Sequence, residues 1–287
     1  GTGTMFALDT NSRISLSNND SGADNTVFGF LAGAALASGG NDNTLIGDYA
    51  GTLISTGEFN VCIGSGAGNG FDAEDYNIFI GYDAGGGAIA GADNCVAIGG
   101  YALSAAATQD NTIAIGHQSL EALTSGEQNI AIGYRALQDN QTGGNNTMIG
   151  YQAALDANDS GFDANVGVGN FVFDGVASSV NAAGNTAIGY NSMSGVIVSA
   201  ADYNTCVGFS SGYAITSGTT NTLIGANSGL ALSTGIRNVF VGKSAGTVTV
   251  DVDKAVFIGY NAGGGGNIDS DADGSVGIGE HTLYSLT

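Results

Sequence analysis

Residues 129–150 read NIAIGYRALQDNQTGGNNTMIG, and one five-residue pattern occurs twice within them, as Asn129-Ile130-Ala131-Ile132-Gly133 and as Asn146-Thr147-Met148-Ile149-Gly150. With the glycine counted as position 0, the pattern is Asn at −4, a β-branched residue at −3, an apolar residue at −2, and Ile, Val or Phe at −1. Positions −3 to 0 recur with the glycine at 29, 47, 64, 81, 99, 116, 133, 150, 169, 189, 208, 225, 242, 259 and 279, fifteen copies 17 to 20 residues apart, and eleven of the copies have Asn at −4. A fixed period of this length marks a stack of small repeated units, none of which buries its own apolar face alone.

All fifteen −3 residues are β-branched, and with the apolar −1 residue they give the two-residue alternation of a strand. Asn tolerates left-handed backbone at a corner, and stacked Asn side chains are expected to bond from coil to coil. The glycine lets the chain turn where a Cβ would clash. Position +3 is Ala or Ser in all but two copies, which lets layers approach closely. The expected fold is all-β: a parallel β-solenoid of about fifteen coils over residues 25–287. Residues 1–24, with Met5-Phe6-Ala7-Leu8 and Ser17-Asn18-Asn19-Asp20, read as an N-terminal cap.

This reading turns −3 and −1 inward and leaves −2 outward. The −2 column, from Val27 and Leu45 to Phe240, Phe257 and Gly277, contains no polar residue. Strands covered on both faces read as continuously apolar, so something is expected to cover the outer face. A second layer of the coil would serve, and identical chains, most simply a homotrimer, are favoured.

The 26 acids against 5 bases give a formal charge of −21, which disfavours nucleic acid and anionic lipid and favours cations. No apolar run is long enough to cross a membrane, and no basic segment followed by an apolar one stands at the start of the sequence, so neither a membrane span nor a signal peptide is expected. Cys62, Cys95 and Cys206 have neither the spacing of a zinc site nor an even count for disulfides. Two Gly-x-Ser-x-Gly segments, around Ser210 and Ser244, fall in the repeat frame, and His117 and His281 are the only histidines, so an esterase elbow is not expected and the chain reads as a non-enzyme. Aromatics at +1 in seven coils, Phe30, Tyr82, Tyr134, Tyr151, Tyr190, Phe209 and Tyr260, read first as packing between coils or chains and second as a surface for sugars. Residues 269–280 match the calcium-loop spacing, and Asp269, Asp271, Asp273 and Glu280 are the candidate Ca2+ ligands.

The segments NTIAIGHQSLEAL (111–123), NIAIGYRAL (129–137) and NTLIGDYAG (43–51) resemble the head repeats of trimeric autotransporter adhesins and the Asn-Thr-x-x-Gly repeats of phage tail-fibre proteins. NSRISLSNND (11–20) is similar to tail-fibre sequence as well. The resemblance covers residue 25 onward and implies a left-handed β-roll, a homotrimer and attachment to a cell-surface receptor or glycan. The repeat here is longer than the adhesin coil. The function expected is a fibre or adhesin segment on a virion or outside a cell; the alternative is an extracellular filament stacking end to end.

Overall fold

A computed structural model of the protein describes residues 7–8, 14–15, 22–87, 91–105, 108–157, 161–177, 180–198, 200–266 and 268–284. Most of the expected cap lies outside the described residues. What is described there is an antiparallel pair, β1 (Ala7–Leu8) with β2 (Ile14–Ser15), and residues 22–24.

The chain divides into two compact units, Gly1–Thr112 and Ile113–Thr287. Besides β1 and β2, the first holds five short solenoid strands: β3 (Thr26–Phe28), β4 (Thr44–Ile46), β5 (Val61–Ile63), β6 (Ile78–Ile80) and β7 (Val96–Ile98). The second holds ten: β8 (Ile113–Ile115), β9 (Ile130–Ile132), β10 (Thr147–Ile149), β11 (Val166–Val168), β12 (Thr186–Ile188), β13 (Thr205–Val207), β14 (Thr222–Ile224), β15 (Val239–Val241), β16 (Val256–Ile258) and β17 (Val276–Ile278). Each strand is positions −3 to −1 of one repeat. Within each unit successive strands pair in parallel and in motif register, so that Thr44 faces Val61 and Phe240 faces Phe257. The solenoid is therefore one strand per coil, and a single 3-10 turn, Ser270–Ala272, is the only helical element among the described residues.

The inside and the outside are the reverse of the sequence expectation. From Leu45 to Gly277 the −2 residues are buried, whereas the flanking −3 and −1 residues are half-buried or exposed in every strand. The apolar −2 column needs no second chain to cover it, because it is the core of the coil itself.

What fills that core is a volume exchange between positions −2 and +4 of one repeat. Where −2 is Leu or Phe, +4 is glycine: Leu45 with Gly51, Phe79 with Gly85, Leu223 with Gly229, Phe240 with Gly246, Phe257 with Gly263; Met148 is paired with Ala154. Where −2 is small, +4 is larger: Ala97 with Leu103, Ala114 with Leu120, Ala131 with Leu137, Gly167 with Phe173, Ala187 with Met193. A Cβ added at Gly85 would stand 2.7 Å from the Phe79 ring, and one at Gly229 would stand 2.8 Å from Leu223. Position +4 is left-handed in both versions, at φ 59° for Gly85 and φ 51° for Leu137. A leucine there carries a backbone cost of about 1–2 kcal/mol, offset by burying its side chain, which contributes about 1.5–3 kcal/mol. The conformation is held by the stack: Leu137 donates its N–H to the Ala153 carbonyl at 2.9 Å, and the left-handed Arg135 donates to His117 in the opposite direction at 3.0 Å.

The expected asparagine ladder forms, and it lies inside. Asn43, Asn60 and Asn77 in the first unit, and Asn129, Asn146, Asn165, Asn185, Asn204, Asn221 and Asn238 in the second, are essentially inaccessible to solvent. The Asn221 Oδ1 accepts the N–H of Asn238 at 2.9 Å, and its Nδ2 donates to the Gly235 carbonyl at 2.8 Å, both in the next coil. In the first unit the run ends at Cys95, whose thiol lies 3.2 Å from the Gln109 carbonyl, the place an Asn Nδ2 would take. The acid Glu74 is also buried; it accepts N–H groups from Asp72, Ala73 and Gly91 at 2.7 to 3.0 Å and so closes a turn.

Two outcomes are expected. Leu137→Gly loses about 2–5 kcal/mol of burial and cavity energy while recovering about 1 kcal/mol of backbone strain, and Ala131→Leu overpacks by about 1–3 kcal/mol. The double variant should melt closer to the native protein than the two single losses sum to, a coupling read from four thermal melts. Asn221→Ala leaves one N–H and one C=O unpaired in the dry interior, about 1–3 kcal/mol for each. Asn221→Asp turns an acceptor toward the Gly235 carbonyl and buries a charge, so it should melt below the alanine variant.

Candidate assembly face and acidic columns

The outer face of the strands consists of the −3 and −1 columns. In the second unit these run from Ile113 and Ile115 to Val276 and Ile278, and every member is Ile, Val or Thr. They stand outward because −2 faces in, and neighbours along a strand alternate. Val166, Val168 and Ile188 are 37%, 36% and 39% exposed, an apolar grid in a chain whose charge lies elsewhere. Outward strand positions on a wet surface usually include charged residues; here none is charged, and the polar ones are threonines, each with a methyl group.

Beside this grid runs a ladder of rings in the second unit. His117, Tyr134, Tyr151, Phe171, Tyr190 and Phe209, one from each of six consecutive coils, have centroids 5.2 to 5.7 Å apart. The aromatic stripe is thus packing between coils. Three of the five contacts are stacked within 17° of parallel, so those rings pack on one another from coil to coil. His117 and Phe171 were not among the aromatics expected; Phe171 sits at +2, and inspection of that column would have found it.

Two of the four candidate cation ligands have carboxylates that bond within the coil. Asp269 caps its own 3-10 turn by accepting the Asp271 N–H at 3.1 Å, and Asp273 accepts the Asp253 N–H at 2.7 Å. A cation would compete with these donors for both carboxylates. Asp271 and Glu280 are exposed, and among the described residues no three His, Cys, Asp or Glu side chains gather as a metal group.

Asp273 belongs to a column that the sequence reading passed over. At position −6, Asp75, Asp93 and Asp110 in the first unit and Asp163, Asp202, Asp253 and Asp273 in the second each accept an N–H from the preceding coil at 2.6 to 2.9 Å. The signal is ordinary: acids, or Asn41, recur at −6 in ten of fifteen copies. In the second unit Asp139 lies near Asp156 and Glu121, and Asp174 near Asp156. Partial burial first, and these like charges second, raise both carboxyls above the usual range.

Ser210 and Ser244 occupy +2 positions with left-handed backbone, and no helix follows either one, so neither forms a nucleophile elbow. Cys62 and Cys206 are buried, and burial drives their thiols far up; Cys95 is pushed up to about 11, again chiefly by burial. As thiols they are inert.

No protein-family model matches the chain, and no curated protein matches it.

The raised carboxyls set a pH dependence. For Asp139 the native state binds the proton more tightly than the unfolded chain, so its destabilising contribution is present at neutral pH and is relieved as pH falls through the raised pKa. Asp139→Asn should melt higher than the native protein at neutral pH, and the difference should shrink as pH approaches about 4, the unfolded carboxylate range.

Proposed function

We propose that this chain is a structural segment of an extracellular or virion fibre whose copies associate through the outer strand face. The observation that supports the reading is the charge-free −3/−1 grid in a molecule of net charge −21. Two copies meeting elsewhere bring carboxylates against carboxylates; on this face they bring methyl groups against methyl groups. A second copy also carries ridges at the same coil pitch of about 4.8 Å, so the β-branched knobs of one can seat between those of the other in the manner of a dry zipper. A homotrimer is the simplest closed form in which each chain offers this face to two others. The fold adds rigidity: nearly every coil is tied to the next by strand bonds, most also by an Asn or acid bridge. That suits a spacer holding a receptor- or glycan-binding part away from a surface.

The experiment is sedimentation equilibrium on the native chain. Self-association is expected, and it should strengthen with salt, because screening reduces repulsion between the acidic surfaces. Ile188→Lys on the exposed grid should weaken association while leaving the circular dichroism and melt of the coil intact. A native chain that stays monomeric at all concentrations and salts removes the fibre reading.

A further inference from the structure

Tyr134 and Tyr151 hold the same +1 position in consecutive coils of the second unit. Their rings lie 5.2 Å apart between centroids and within 16° of parallel, and both residues reach solvent, at 38% and 44% exposed. The backbone beneath them is fixed, since Gln152 donates its N–H to the Tyr134 carbonyl at 2.8 Å. His117 on one side and Phe171 on the other, at 5.7 and 5.3 Å, limit how far the rings can turn away. The ladder thus stores two phenols side by side, with reach to an external reagent and little freedom to part.

We propose that Tyr134 and Tyr151 form an oxidative cross-linking site, at which a dityrosine bond staples one coil of the solenoid to the next. The co-reactant is a one-electron oxidant of phenols, such as a haem peroxidase acting on hydrogen peroxide. Each phenol gives up one electron and one proton to become a phenoxyl radical. The two radicals join through one new carbon–carbon bond between ring carbons ortho to the oxygens, and the ring hydrogens on those carbons move to the oxygens as both rings regain aromaticity. The two electrons and two protons released reduce one peroxide to two waters. Holding the partners together replaces an encounter between chains by a step within one chain, the source of large effective molarities.

The other tyrosine pair in ring contact, Tyr82 with Tyr101 in the first unit, has the same 5.2 Å separation but stands at 75°. Edge-on rings do not bring two ortho carbons alongside each other. The hydrogen bond to Tyr101, with the charge of Asp83, also raises the Tyr82 phenol, which then holds its proton more firmly. Coupling is therefore assigned to the stacked pair.

Trypsin makes the assignment readable. The chain has five basic residues, Arg13, Arg135, Arg237, Lys243 and Lys254, so denatured protein yields fragments 14–135 and 136–237, with Tyr134 in the first and Tyr151 in the second. The native chain is treated with peroxidase and limiting peroxide, then denatured, digested and weighed. The expected product is 14–135 joined to 136–237 with the loss of two hydrogens, carrying dityrosine fluorescence on a chain of single-chain mass. Tyr134→Phe and Tyr151→Phe, which keep the rings and the fold, should each reduce that product to background, and Tyr82→Phe should leave it unchanged. Treatment in denaturant should lose it. A joined product that survives Tyr151→Phe, or fluorescence found only in covalent dimers, overturns the proposal. Because the link lies within one chain, it is expected whether or not copies associate, so its failure and the failure of the fibre reading are separate results.

Discussion

Positions −2 and +4 of each coil share one place in the interior, with room for about one large side chain, and the rest of the structure is arranged around that limit. Positions −2 and +4 compete for the same space, so a phenylalanine at one requires a glycine at the other, as in Phe240 with Gly246 and Phe257 with Gly263. The exchange keeps interior density constant while the sequence varies, the condition under which a core loses neither to voids nor to overpacking. It also explains the leucines in left-handed backbone at Leu103, Leu120 and Leu137: when −2 is only alanine, the missing volume must come from +4, whatever its φ. The small +3 residues complete the wall, and three of them, Ser192, Ser211 and Ser228, donate hydroxyls to carbonyls of the next strand.

The repeat, the strand at each copy and the coil-to-coil register were legible in the sequence because β-branched residues at fixed spacing leave few alternatives. Which side of the strand faces in was not. Both −2 and −3/−1 are apolar, and the ordinary rule that the apolar face is the buried one has no purchase when both faces qualify. The discriminating signal was present in the anticorrelation of −2 with +4, since only residues sharing one cavity need to trade volume. The acidic run at 269–280 also has a place in the repeat. Read locally, Asp269, Asp271 and Asp273 form a ligand pattern; set beside Asp253, Asp202 and Asp163 at the same repeat position, Asp273 is one rung of a column that accepts backbone N–H groups.

Charge and apolar surface are segregated by position in the repeat. Carboxylates gather at −6 and in the turns, while the outer strand columns stay neutral throughout. The acidic column is itself a compromise: Asp75, Asp93, Asp110, Asp253 and Asp273 each gain a short bond to an N–H, and each stands one coil from another carboxylate. An exposed apolar grid beside a repelling surface gives association a direction, since contact is favourable on one side only.

The buried asparagines bear on how such a molecule ages. Asparagine decays when the backbone nitrogen of the following residue attacks its own side-chain amide carbon, expelling ammonia. In the ladder that nitrogen belongs to a crowded β-branched residue and is already committed, as Thr44 is to the Asn60 carbonyl and Thr222 to the Asn238 carbonyl, both at 2.8 Å. The leaving amide is held as well, and water is excluded. Chemical wear is thereby steered away from the core and toward Asn69-Gly70, a partly exposed turn where the following residue offers no hindrance. A new carboxylate there would join an already acidic surface at little cost, while the rungs that hold the coils together are placed to keep their amides.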